Sequence, residues 1–377
     1  MVLRRTPQAT DDGAPPISSH GQVMPVPNPT TPYWRTELHP IDEHRSTEQL
    51  PKQCDVAIIG AGLSGVATAY HIIKKAGNTA NELAAFVDRQ IQALKHVVEE
   101  EDLDCEFELR RSYDVFLDPD DAATVRKEFR KAAKEGQEWT RSRSLIEGRH
   151  LEQTSTPVTG VTQAADGSSI LKTDRGQLRA AKVIFATNAY TSGICPTFTD
   201  RIVPANSTAV HITLKNGPVH PHLSQTYNIG YQADRVDYLN PRPDGGIVVG
   251  GGQWAYRDDR KRWYNDWDDS KPLPEVKPHF DGLMQRHFLG WEESGAEIDH
   301  MWTGIQGITS DGMPFVGDVP GQEGRQYVLA GYNGGGMAMI FLCAEGVAEM
   351  TVNGRSYEDT GLPTMMKSTA KRMRGSL

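Results

Sequence analysis

The stretch from Cys54 to Tyr70 most constrains what this chain can fold into. A short apolar run, Val56-Ala57-Ile58-Ile59, enters Gly60-Ala61-Gly62-Leu63-Ser64-Gly65, and an apolar helical pattern follows at once. The spacing is G-x-G-x-x-G, and each glycine has its own task. Gly60 allows the tight turn out of a strand, Gly62 lets a pyrophosphate approach the backbone, and Gly65 lets the helix pack close to the strand. The helix start at Leu63, Ser64 and Gly65 points its free N–H groups and positive dipole end at the phosphates. A glycine triplet alone also serves as a structural turn. A strand before it and a helix after it turn the reading toward a dinucleotide site.

The remaining composition bounds the function. At 377 residues the chain holds two or three domains' worth of structure, or one two-lobed enzyme. Its net charge of −9 disfavours a nucleic-acid partner. There is no apolar run long enough to span a membrane and no pattern of a secretory leader, so a cytoplasmic location is expected. Cys54, Cys105, Cys195 and Cys343 are scattered, which gives neither a disulfide framework nor a zinc site. His220-x-His222 beside two prolines reads as loop surface, and no metal is expected.

Along the chain, residues 1–50 read as an irregular arm whose Tyr33-Trp34 pair wants a groove to dock in. A helix over 66–75 is followed by a second, with Leu83, Val87, Ile91, Leu94 and Val98 as its stripe. Short strands are expected over 105–110 and 112–117, then a helix from Asp118-Pro119 to Trp139. A three-strand meander follows over 157–163, 168–173 and 180–187, then strands over 210–214, 227–232, 236–239 and 247–250. Residues 254–278 read as a long surface loop, and Phe280, Leu283, His287, Phe288 and Trp291 trace a helix. Strands over 298–309 and 326–330 precede a second glycine turn, Gly331-Tyr332-Asn333-Gly334-Gly335-Gly336-Met337, leading into an apolar helix over 338–351. The tail 367–374 reads as a solvated end. The domain division that results is an arm (1–50), dinucleotide-binding segments (51–100, 151–202, 298–352), segments of a second, strand-rich domain (101–150, 203–297) and a tail (353–377).

Two strand–glycine–helix turns at opposite ends of the chain point to FAD rather than NAD. One helix start receives the pyrophosphate, and the other favours negative charge developing on the reduced ring. One element is out of place. A dinucleotide fold needs a second strand ending in an acidic residue about 20 residues beyond the glycines, yet Glu82 and Asp88 lie within a helical pattern.

Taken together, these blocks resemble the FAD-dependent D-amino-acid oxidase superfamily, most closely a fungal branch akin to gamma-glutamylputrescine, glycine and sarcosine oxidases. The resemblance is carried by Tyr33-Trp34-Arg35-Thr36, by Gly60, Gly62 and Gly65, and by Val158, at a position whose backbone meets the adenine. It continues through Ala186-Thr187-Asn188, through Trp302-Thr303-Gly304-Ile305 to Pro314, and through Gly331 to Met337. It implies an α/β two-lobed fold, with a discontinuous Rossmann-like FAD-binding domain and a β-rich substrate domain. It also implies oxidation of an amine or amino acid at its C–N bond to an imine, with dioxygen as acceptor. Relatives carry a ribose-binding carboxylate and a loop beside the flavin between positions matching Gly77 and Asn81, and a further segment near Gly148–Leu151. Both segments are missing here. Neither covalent attachment residue of the relatives is present, so FAD is expected to be noncovalent. Tyr231, Tyr238, Arg242 and Trp302 are the candidate substrate contacts. Two other readings stand beside this one: an impaired flavoprotein remnant, and a flavin tailoring enzyme of a biosynthetic pathway.

Overall fold

The computed structural model describes residues 22–36, 45, 47–74, 83–100, 112–116, 156–215, 221–232 and 235–374. Strand β1 (Gln53–Ile59) leads into helix α1 (Leu63–Lys74), and helix α2 (Leu83–Glu100) and strand β2 (Ser112–Phe116) follow. The meander is β3 (Val158–Gln163), β4 (Ser169–Thr173) and β5 (Gly176–Phe185). Next come β6 (Val203–Leu214), β7 (Thr226–Gln232), β8 (Arg235–Pro241), β9 (Ile247–Gly250) and β10 (Ala296–Ile308). The chain closes with β11 (Phe315–Asp318), β12 (Gln326–Ala330) and helix α3 (Ile340–Asn353). The strands expected over 105–110 and the helix over 119–139 lie outside the described residues.

Strand β5 organises the first sheet. It pairs in parallel with β1 and β12 and antiparallel with β4, and the sheet path runs β11-β12-β5-β4-β3. Its second half, Val183-Ile184-Phe185, is buried on both faces, as parallel strands covered on both sides are. Ile184 joins Leu329, Phe341 and Val347 under the helices, while Val183 and Phe185 join Phe198, Ile202 and Phe315 on the other side. Among the described residues β1 pairs with β5 alone, so its outer edge has no strand partner there.

The second sheet has the order β10-β6-β9-β8-β7-β2. One face is packed: Val210, Leu239 and Val249 meet Val276, Phe280, Leu283 and Met284 from the segment beyond β9. That segment corrects the expected surface loop over 254–278. It forms short helical turns at Gln253–Ala255, Arg260–Arg262 and Pro274–Val276, and it buries Tyr256, Leu273 and Val276. Each turn is too short to leave a periodic signature among the charged residues. The single helix expected around 280–291 is broken by Gly282, at φ +68°, into Lys277–Phe280 and Leu283–His287.

In α2, buried Gln90 is held by hydrogen bonds to α3, and Ala93, Leu94 and Val97 pack beside it; of the expected stripe, the side chains of Leu83, Val87 and Ile91 lie outside the description. One further expectation shifts. The tail does not fray. Arg372 grips Asp311 with two bonds of 2.7 and 2.9 Å, donates to the carbonyls of Met313 and Pro314, and lies 4.0 Å over the Phe315 ring.

Burial works to raise the Asp311 carboxyl, but the Arg372 guanidinium outweighs it and holds the group below the usual carboxylate range. Arg372→Met is expected to cost about 1–3 kcal/mol in urea unfolding at neutral pH, since it leaves the part-buried carbonyls of Met313 and Pro314 without their donor. A folded pKa below the unfolded one gives stability that is complete above about pH 4. That stability is lost as pH falls through the lowered value. The gap between wild type and variant should therefore narrow in acid; a gap independent of pH would contradict the pairing.

Candidate active site

At the end of β1 the chain turns through Gly60, at φ +111°, a conformation that L side chains rarely adopt. A Cβ there would lie 2.6 Å from the Ala186 carbonyl oxygen, so the turn is laid against the end of β5. A Cβ on Gly65 would fall 1.8 Å from the Gly60 oxygen, so only hydrogen lets α1 run this close to the turn. Gly62 is different: no heavy atom lies within 4 Å of where its Cβ would be. Two glycines serve packing, and the third faces open space before the first turn of a helix. That is the arrangement a pyrophosphate requires, and the residues present fit it. Ser64 is buried, and its carbonyl accepts from Thr68 Oγ1 at 2.7 Å. Val158 stands half-buried at the start of β3, packed against the core behind the sheet.

The second glycine turn meets the ends of three strands. Asn188, beyond β5 and at φ +40°, accepts from the N–H of Gly331 at 3.0 Å and of Tyr332 at 3.2 Å. Asn333, at φ +52°, accepts from Thr309 N–H at 2.8 Å, donates to the Gly331 carbonyl at 2.7 Å, and its own N–H reaches the Gly307 carbonyl at 2.9 Å. Non-glycine residues in this conformation are uncommon, and asparagine tolerates it best. Thr187 shares a 3.0 Å hydroxyl contact with Thr191 that steadies the strand end. The sequence-predicted cofactor residues 186–188 and 331–337 are thus brought together.

The backbone N–H groups expected to favour the reduced ring are those of Gly334–Met337. The amides at the start of α3 are already occupied: Gln90 Oε1 accepts from Phe341 at 2.8 Å and Leu342 at 3.4 Å, and its amide donates to the Met337 carbonyl. Gly335 N–H is taken by Tyr332 O at 2.9 Å. The N–H groups of Gly334, Gly336 and Met337 have no acceptor among the described residues. Gly334 and Met337 are exposed residues of the turn, whereas Gly336 is buried against Tyr332 and Ile340.

Above this turn stands the open face of the second sheet. Trp302, Gly304 and Gln306 alternate with Thr303 and Ile305 on β10 and so share that face. Gln306 is a residue that glycine motifs alone did not flag. A Cβ on Gly334 would lie 3.2 Å from its amide nitrogen, whereas Gly304 faces open space. The strand's period of two, counted from Trp302, was the signal available for it.

Three of the four substrate candidates fall on this side. The register runs Trp302–Ala209–Gly250–Tyr238 across β10, β6, β9 and β8, and the Tyr238 ring lies over Gly250. Arg242, just beyond β8, is held over the rings of Tyr33 and Trp34 at 5.5 and 5.2 Å. Tyr231 is on the packed face. Its hydroxyl donates to Asp237 at 3.1 Å, and this buried carboxylate also meets His279 at 2.7 Å and Gly252 N–H at 2.9 Å. Burial, and then the Asp237 charge, push the Tyr231 hydroxyl well above its ordinary value.

The arm does find its groove. Tyr33 stacks on His211 with centroids 3.9 Å apart and bonds Asp244 at 2.5 Å. Burial works to raise Asp244, but the Tyr33 hydroxyl, Gly246 N–H and Arg242 together hold it below the usual carboxylate range. Among the described residues no group of three His, Cys, Asp or Glu could hold a metal ion. No helix is long and apolar enough to cross a membrane.

Comparison with known proteins agrees with this geometry. A family profile described as FAD dependent oxidoreductase matches residues 151–350, more than half of the chain. A search of curated proteins finds no match. Among solved structures, glycine oxidase from Geobacillus kaustophilus superposes with a TM-score of 0.63 at 15% identity, covering 85% of this chain and 99% of that one. L-amino acid deaminase from Proteus myxofaciens gives 0.62 at 12% identity, over 88% and 96%. L-proline dehydrogenase from P. horikoshii gives 0.60 at 18%, over 81% and 95%. Identities this low speak to the fold, and the fold is the two-lobed α/β arrangement expected. The profile match decides the family: the chain belongs to the FAD-dependent oxidoreductases, whose cofactor is FAD.

Proposed function

We propose that the chain oxidises the C–N bond of an amine or amino acid to an imine, with dioxygen reoxidising the cofactor. The observation that carries this reading is the pairing of two glycine turns. Gly62 opens to space before α1, and exposed Gly334 and Met337 of the second turn carry N–H groups without an acceptor among the described residues, with Gln306 of β10 beside Gly334. When bound, FAD supplies the acceptor for the hydride that leaves the substrate carbon. The backbone at Leu63, Ser64 and Gly65 holds the pyrophosphate. The Gly334 and Met337 amides of the second turn favour negative charge at the ring edge, since fixed donors cost no reorganisation as charge develops. Trp302 and Tyr238 confine the substrate and displace water, and Arg242 supports a carboxylate where the substrate has one.

The cofactor is expected to be noncovalent. Gly304 offers no nucleophile to the open space it faces. Burial pushes the thiols of Cys195 and Cys343 up to about 11 and about 12, which keeps both protonated and unreactive.

A specific observation favours a second reading, an impaired flavoprotein. Helix α1 ends at Lys74 and α2 begins at Leu83, and the outer edge of β1 lacks a strand partner among the described residues. Asp88 falls within α2 rather than at a strand end. Loss of the ribose carboxylate weakens FAD by about 1.5–3 kcal/mol, or roughly ten- to a hundredfold. A tailoring oxidation in a biosynthetic pathway uses the same chemistry and differs only in substrate.

The visible spectrum of the purified chain, with and without added FAD, separates these readings. The enzyme should show flavin bands that bleach when an amine is added without oxygen. A folded, colourless protein that takes up no FAD would sink the oxidase reading. The glycines give a sharper contrast. Gly62→Val is expected to weaken FAD binding at least a hundredfold with little change in melting temperature, because its side chain enters open space. Gly65→Val is expected to destabilise the apoprotein by about 2–3 kcal/mol, because its side chain collides with backbone. Equal effects of the two on FAD affinity and on stability would refute the assignment.

A further inference from the structure

On the open face of the second sheet, Gln306 stands beside the second glycine turn and Gly304 next to it faces open space. Trp302 ends this line, and two residues of strand rise about 6.7 Å, so the aromatic end is roughly 13 Å from Gln306 along β10. There Trp302 is not alone. Trp34 meets it edge to face, with centroids 6.0 Å apart.

Trp34 belongs to the N-terminal arm, and the arm is fastened to both sheets. Gln22 donates to the carbonyls of Thr159 and Gly193 at 2.9 and 2.5 Å, beside the first sheet. Thr30 exchanges two bonds, of 2.9 and 3.2 Å, with the backbone of Thr303, satisfying the edge of β10. Tyr33 is held by His211 and Asp244. Despite these anchors Trp34 keeps 53% of its surface exposed, an unusual state for a large ring placed so firmly. The neighbouring cation, Arg242, is already set against the Tyr33 and Trp34 rings and is offset by Asp244. Trp302 itself is buried, at 7% exposure, so the ring surface presented here is that of Trp34 more than bare charge.

We propose that Trp34 is a specificity-determining residue, and that its exposed ring, backed by buried Trp302, receives the aromatic side chain of an arylalkylamine or aromatic amino acid. The reacting C–N bond then lies toward Gly304, about one phenethyl length away. Ring–ring contact adds to simple burial, so loss of one wall is expected to change affinity about tenfold. This inference rests on the amine-oxidising reading above.

The test uses the full FAD-loaded chain with 2-phenylethylamine, phenylalanine and glycine as substrates. FAD affinity and the flavin difference spectrum with phenylacetate are recorded alongside turnover. Wild type should prefer the aromatic compounds. W34A should lose about tenfold in kcat/KM for them and in phenylacetate affinity, with glycine turnover and FAD affinity within twofold of wild type. W34F should restore most of the loss. If W34A leaves the aromatic-to-glycine ratio unchanged, or lowers all substrates equally along with thermal stability, the arm is only structural and the inference falls while the oxidase reading stands. If wild type binds FAD yet no amine bleaches it, both fall.

Discussion

The carbonyl of Gly60 and the α-carbon of Gly65 approach so closely that no methyl group fits between them. Everything else in the first lobe depends on that contact. It sets the angle at which α1 leaves β1, and the Gly60 turn in its place abuts Ala186 at the end of β5. Strand β5 then fixes β12, and Asn188 at its end binds the backbone of Gly331 and Tyr332. One steric constraint, carried through two strand pairings and one asparagine side chain, brings residues nearly 270 positions apart to the same opening. An alanine at position 65 would disturb both turns through this chain of contacts.

The second sheet contributes a different quality. Its packed face is closed by the segment after β9, with buried Asp237 binding Tyr231, His279 and Gly252 at once. A buried carboxylate is costly unless its oxygens are satisfied, and here they are. This makes the packed face a structural clamp and leaves the opposite face for a ligand. The N-terminal arm crosses to that open face and limits it at one end, while the second glycine turn limits it at the other.

Much of this was legible in the residues. The strand–glycine–helix pattern after Cys54 and the continuous apolar runs of β5, β9 and β12 name their own elements, because each is decided by local geometry and by burial on both faces. The resemblance of the C-terminal blocks singled out Gly331–Met337, and the structure brings that turn to Asn188 at the end of β5. Other features depend on contacts that no local pattern carries. Gln90 reads as a polar interruption in a helix, and only its meeting with the α3 amides explains why it is buried. Arg372 reads as part of a basic tail until Asp311 is found beside it. Tyr231 and Tyr238 look equivalent in sequence, yet they sit on adjacent strands, and the register puts them on opposite faces. The helical turns between 253 and 276 are too short for any periodicity to show.

The central claim is that the two glycine turns form one flavin nucleotide site, with the pyrophosphate at Gly62. Equilibrium titration of the apoprotein with FAD, followed by flavin fluorescence, tests it most directly when repeated in the presence of ADP. Saturable quenching at one FAD per chain, displaced by ADP but not by adenosine, is the predicted result, because the pyrophosphate provides the common anchor. Quenching that does not saturate, or that ADP leaves untouched, would contradict it.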